Sequence, residues 1–246
     1  MQQFLDAYLH LEKDLTQTHI AETKAELGSF LRAFKVVDDV MQPYLQQEAP
    51  SYNIFKLLRI GHYETKVHSP FLANLLDPRG SHQQGDHFFK AFMTEVAQRP
   101  AWLEGLNTTH KVQVILEQGS EKGFIDILIF GEQQGKPFGI VIENKIYAGD
   151  QEKQMERYYA YLRDVKNLPP DRLLLIYLTL DGKRPSIPYS ISKESFKQLR
   201  DSKPSRILLR SYRKDIRKWL QKTNKEIPSE KVRFTIQQYL DTLKHL

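Results

Sequence analysis

Two stretches decide how this chain folds: Phe124-Ile-Asp-Ile-Leu-Ile-Phe130 and Ile140-Val-Ile-Glu-Asn-Lys-Ile146. Both are short, apolar and rich in β-branched residues, which predicts two strands. The polar segment 131–137 between them predicts a hairpin. Each strand carries charge where a buried strand should have none. Side chains alternate along a strand, so Glu143 and Lys145 share a face. Asp126, on the preceding strand, comes within reach if the two strands pair. Burying unpaired charge is costly. A salt bridge from Lys145 to Asp126 or Glu143 explains any one of these residues, but one ammonium does not neutralise two carboxylates. A hard divalent cation with oxygen ligands resolves the excess.

Working outward, Val112, Val114 and Leu116 alternate with polar residues and predict a strand before the hairpin. A helix from about 151 to 165 follows it. Leu173–Leu180 is almost wholly apolar, which predicts a strand in the middle of a mixed sheet. Residues 207–209 predict a weaker fifth strand, and helices are predicted at about 212–222 and 229–244. Upstream, helices are predicted at 53–60, at 85–98, and from Ser69-Pro70, with Ser69 as N-cap and Pro70 at the first helical position. The polar segment 61–68 reads as a loop. The first ~48 residues have apolar positions at helical spacing and predict a helix in two pieces, closed by Pro43 and Pro50. The expected organisation is an N-terminal helical region, 1–50, and one compact unit, 51–246. The order of helices, three strands, helix, strand, helices predicts an α/β (α+β) fold: a mixed four- to five-stranded sheet flanked by helices.

Composition narrows the chemistry. The 246 residues are 40% hydrophobic, enough for a packed core, and contain no cysteine. Disulfide scaffolds, thiol nucleophiles and Cys-type zinc sites are therefore excluded. His62, His68, His82 and His87 match no zinc-ligand spacing. There is no long uninterrupted apolar run and no secretory pattern at the N-terminus, so a cytoplasmic protein without a membrane partner is expected. The net charge is +6, and residues 203–233 alone hold 11 Lys or Arg against 3 Asp or Glu. Arg213 and Arg217 lie in this stretch beside the apolar stripe of Tyr212, Ile216, Trp219 and Leu220. A cationic helix of this kind suits phosphate-backbone contact.

The motif Ile125-Asp126 followed by Glu143-Asn144-Lys145 resembles the PD-(D/E)XK nuclease superfamily, with Ile125 where the name would put Pro. Gln154 and Tyr158, four apart on the following helix, are similar to the Gln-x-x-x-Tyr motif of its RecB-like members. The block Glu64-Thr-Lys-Val-His-Ser-Pro-Phe-Leu-Ala-Asn-Leu-Leu-Asp-Pro78 resembles a bacterial subgroup of the superfamily. The resemblance implies a restriction-endonuclease-like αβββαβ core and a Mg²⁺- (or Mn²⁺-) dependent deoxyribonuclease acting on DNA. It implies Asp126, Glu143 and Lys145 as catalytic residues. It further implies Asp126, Glu143, Glu64 and the main-chain carbonyl of Asn144 as metal ligands, and Gln154, Tyr158 and His68 as substrate contacts beside Arg213 and Arg217. The alternative is a non-catalytic nucleic-acid-binding or assembly protein that retains the fold. The sequence leaves the oligomeric state open.

Overall fold

The computed structural model describes residues 1–98, 100, 112–120 and 123–246. The chain divides into two compact units, Met1–Tyr52 and Asn53–Leu246. The first consists of one helix, α1 (Gln2–Glu48), in which no residue is buried. It is a single piece rather than the two that its sequence predicts. Pro43 lies inside it, near the end, where a proline forfeits one ladder bond and the surrounding turns persist.

The second unit is built on a five-stranded sheet: β1 (Val112–Ser120), β2 (Gly123–Gln133), β3 (Lys136–Lys145), β4 (Leu173–Thr179) and β5 (Ile207–Ser211), in that spatial order. β1, β2 and β3 form an antiparallel meander, and β3, β4 and β5 run parallel. The β2–β3 turn is Gln134-Gly135, both at positive φ (54° and 72°), the twist a two-residue hairpin requires. All seven residues of β4 are buried, as its unbroken apolar run predicts.

Helices cover both faces. Alternation sends Ile127, Ile129, Ile140, Ile142, Ile176 and Leu178 into one layer, with α2 (Ile54–Leu57), α3 (Ser69–Leu76), α4 (His87–Glu95), α7 (Arg217–Thr223) and α8 (Glu230–Leu243). Leu128, Val141, Leu175 and Tyr177 enter the other, against α5 (Gln154–Ala160) and α6 (Lys193–Asp201). A Cβ on Gly139 would lie 2.6 Å from Leu168 and 3.2 Å from Leu162. This glycine lets the segment after α5 rest directly on β3.

Two local predictions need correction. Residues 64–68 form a π-helical turn rather than a loop. That turn runs straight into α3, so Ser69 is a helical residue (φ −64°, ψ −46°) and not an N-cap. Its hydroxyl is engaged elsewhere, as described below.

Candidate active site

The site forms where the sheet comes apart. The β2–β3 ladder runs from Gln133↔Lys136 to Ile127↔Ile142 and stops. One step further in the same register, Asp126 would stand opposite Glu143. On its other side Asp126 is also unpaired: β1 pairs through Leu116↔Ile127 and Gln118↔Ile125, and Glu117 between them adopts φ 50°. The Asp126 side chain takes over the missing ladder bond, its Oδ2 accepting the Asn144 N–H at 2.8 Å. From there β3 alternates as its sequence requires. Glu143 and Lys145 share one face, and Asn144 points the other way, donating Nδ2–H to Ser69 Oγ at 3.0 Å.

Glu143 is buried. Its Oε1 receives Lys145 Nζ at 2.8 Å and Gln154 Nε2 at 2.6 Å. Its Oε2 is buried with no hydrogen-bond partner among the described residues. Desolvation, then the Asp126 charge, pushes the Glu143 carboxyl up to about 8, against the pull of Lys145. Desolvation likewise raises Asp126 to about 6, against the Asn144 hydrogen bond and Lys145. Burial disfavours the Lys145 ammonium, but Glu143, Asp126 and Glu64 together outweigh it and hold its pKa above the ordinary value. With both carboxylates ionised the trio would carry more negative charge than one ammonium neutralises, and the raised carboxyl pKa values reflect that cost.

Gln154 and Tyr158 meet Glu143 from the following helix, α5. Both are buried. Gln154 Nε2 also donates to the Tyr158 hydroxyl at 2.9 Å, and that hydroxyl donates to the Phe124 carbonyl. They fix the Glu143 carboxylate and tie it to β2, at the positions where the resemblance implies substrate contacts.

Glu64 reaches the same end of the sheet but does not complete a three-carboxylate cluster. Its Oε1 accepts three successive backbone N–H groups, from Ile146 (2.7 Å), Tyr147 and Ala148 (2.8 Å). Three amides solvate this oxygen, and Glu64 shapes the turn after Lys145. His68 is also engaged within the fold. It is fully buried, with Nε2 donating to the Gly61 carbonyl and Nδ1 accepting from the Tyr239 hydroxyl, both at 2.8 Å. Desolvation lowers its pKa and keeps it neutral.

Several cations of the basic stretch are engaged in contacts within the chain. Arg213 pairs with Asp181 (2.5 Å) and donates to the Leu246 carbonyl (2.8 Å). Lys218 and Lys222 both pair with Glu95, and Arg233 donates to the Ile227 and Pro228 carbonyls. Arg217 is half-buried, its Nε unpartnered among the described residues.

Among the described residues no three His, Asp or Glu side chains gather into a ready metal cage. The donor set nevertheless suits Mg²⁺, which keeps several waters and takes one or two carboxylates. Glu143 Oε2, buried and unpartnered, is the atom such an ion would satisfy.

The C-terminal ends of β3 and β4 open onto a cleft of about 270 Å³ beside Lys145, walled by the loops after the two strands. Its lining includes Tyr177, Lys183 and Arg184, none of them singled out from the sequence. The signal was there in Asp181-Gly-Lys-Arg184, a charged turn at the C-terminal end of a buried parallel strand, where open α/β sheets bind their ligands.

Residues 52–241 match the model of the PD-(D/E)XK nuclease superfamily. The chain belongs to this superfamily. Among solved structures it is similar to the "DNA modification-dependent restriction endonuclease AspBHI", at 12% identity and a TM-score of 0.30; the match covers 72% of this chain and 40% of that one. No curated protein matches the chain. No helix among the described residues is long and apolar enough to cross a membrane.

Proposed function

We propose that this protein is a divalent-metal-dependent phosphodiesterase, with Mg²⁺ or Mn²⁺ as cofactor and DNA as the substrate the family resemblance implies. The observation that carries the reading is the buried, unpartnered Oε2 of Glu143 beside a second carboxylate, Asp126. A binding module has no use for that cost. Asp126, Glu143 and the Asn144 main-chain carbonyl would hold the ion. When bound, it would supply charge neutralisation at the phosphate and acidify an attacking water.

Hydrolysis forms a bond from water oxygen to phosphorus, breaks one ester P–O bond and returns a proton to the leaving sugar oxygen. Negative charge builds on the non-bridging oxygens as this happens. The raised pKa of Lys145 favours the ammonium over the free amine. Lys145 therefore acts as a hydrogen-bond donor to the developing charge and orients the water, and does not serve as its base. Gln154 and Tyr158 are positioning residues that hold Glu143 in one rotamer.

The test is incubation of the full chain with plasmid, linear duplex and single-stranded DNA, and with RNA, in Mg²⁺, in Mn²⁺ and in EDTA. Asp126→Asn and Glu143→Gln serve as controls. Cleavage should need the divalent ion and both carboxylates. Binding without cleavage by the wild-type chain in either metal would refute the reading in favour of a non-catalytic nucleic-acid-binding protein.

A further inference from the structure

We infer that the turn Asp181–Ser186 is a phosphate seat, in which Lys183 and Arg184 hold a phosphodiester of the bound strand adjacent to the one attacked at Lys145. This inference rests on the nuclease reading of the same site.

Lys183 and Arg184 line the cleft that Lys145 opens onto, and both are exposed. The two acids in its lining, Asp150 and Asp181, are already engaged. Asp150 Oδ1 accepts from the Tyr177 hydroxyl at 2.8 Å, and its Oδ2 accepts from the N–H and hydroxyl of Ser186 at 2.7 and 2.5 Å. Asp181 is paired with Arg213. No carboxylate pairs with Lys183 or Arg184 among the described residues, and with Asp181 paired to Arg213 these two cations outnumber the remaining acid of the lining, Asp150. The same contacts brace the turn. Asp150 ties its far end to the loop after β3, and Arg213 holds its near end. Between them, Lys183 N–H donates to Thr179 Oγ1 at 2.8 Å, and Gly182 supplies the left-handed corner at φ 76°. Two cations on a braced turn are partly preorganised, and a guanidinium fork matches two phosphate oxygens at once. A cleft of about 270 Å³ with an exposed cationic rim suits a length of backbone better than an enclosed small molecule. Contacts of this kind read charge and spacing rather than base identity.

The experiment measures binding of a labelled DNA duplex by the full chain in EDTA, across a series of KCl concentrations. Each phosphate contact contributes about 0.9 to the slope of log K against log salt concentration, so Lys183→Gln/Arg184→Gln should flatten the slope by about 1.8. The charge-preserving pair Lys183→Arg/Arg184→Lys should keep it. Lys136→Gln/Lys203→Gln, exposed at the opposite end of the parallel strands, should leave it unchanged. In Mg²⁺ the neutralised variant should raise KM with kcat retained. An unchanged slope and KM in a folded Lys183→Gln/Arg184→Gln variant, while the wild type binds and cleaves, overturns the seat and leaves the nuclease standing. A wild-type chain that binds neither DNA nor RNA overturns both.

Discussion

Replacing Glu143 by Gln should stabilise the metal-free fold while abolishing cleavage, and the gain should grow with pH. The unfolded chain loses the Glu143 proton near 4.5, whereas the folded protein keeps it to about 8. Between those values the folded state binds more protons than the unfolded state, so wild-type stability falls as pH rises, by roughly 1.4 kcal/mol per pH unit. Gln has no proton to lose, and its carbonyl can still accept from Lys145 and Gln154. The variant should match the wild type near pH ~4.5, exceed it by about 3 kcal/mol near neutrality, and level off above about pH 8. Urea unfolding in EDTA at several pH values measures the difference directly. Adding Mg²⁺ should stabilise the wild type and not the variant, because an ion that binds only the folded state adds RT ln(1 + [L]/Kd). A stability difference that does not change with pH, or a variant weaker than the wild type at about pH 8, would refute an uncompensated buried carboxylate at this position.

Tyr158→Phe removes the donor to the Phe124 carbonyl and the acceptor for Gln154, and should cost about 1–2 kcal/mol in urea melts while lowering kcat more than it raises KM. Glu64→Ala leaves three amides of residues 146–148 without their acceptor and should speed their hydrogen exchange, with a loss of about 1–3 kcal/mol; Glu64→Gln, which retains a carbonyl, should fall between it and the wild type. His68→Phe should cost about 1–3 kcal/mol in stability through the stranded Gly61 carbonyl and Tyr239 hydroxyl, yet leave the affinity for nucleic acid unchanged in a fluorescence titration.

The mixed sheet and the central trio were legible because their signals are local. Period-two alternation, an all-apolar β4 and charge misplaced in apolar strands need no tertiary information. What sequence could not show is which atom each polar side chain spends. Gln154 and Tyr158 lie on the expected helical face, but only the fold reveals that the Phe124 carbonyl and Glu143 wait there. Glu64 arrives at the right end of the sheet and is captured by amides of a turn 82 to 84 residues away in sequence. The basic run at 203–233 shows the same limit: Asp181 pairs with Arg213 and Glu95 with Lys218 and Lys222 at long range. The cations on the cleft, Lys183 and Arg184, are only two residues, and their signal is their place after β4 rather than a charge run.

Asp126 Oδ2 belongs to two structures at once. It is part of the candidate reaction centre, and it is also the acceptor that closes the sheet where backbone pairing has stopped. Architecture and chemistry therefore cannot drift apart at this position. An alanine there would strand the Asn144 N–H as well as delete a charge, so lost activity in that variant would confound a loosened sheet with a missing ligand. Asparagine retains an oxygen for the amide and discards only the charge, which separates the two. A lineage that kept the fold for binding alone would still be held to Asp or Asn at 126, so retention of a polar residue there reports on the sheet, and only the charge reports on catalysis.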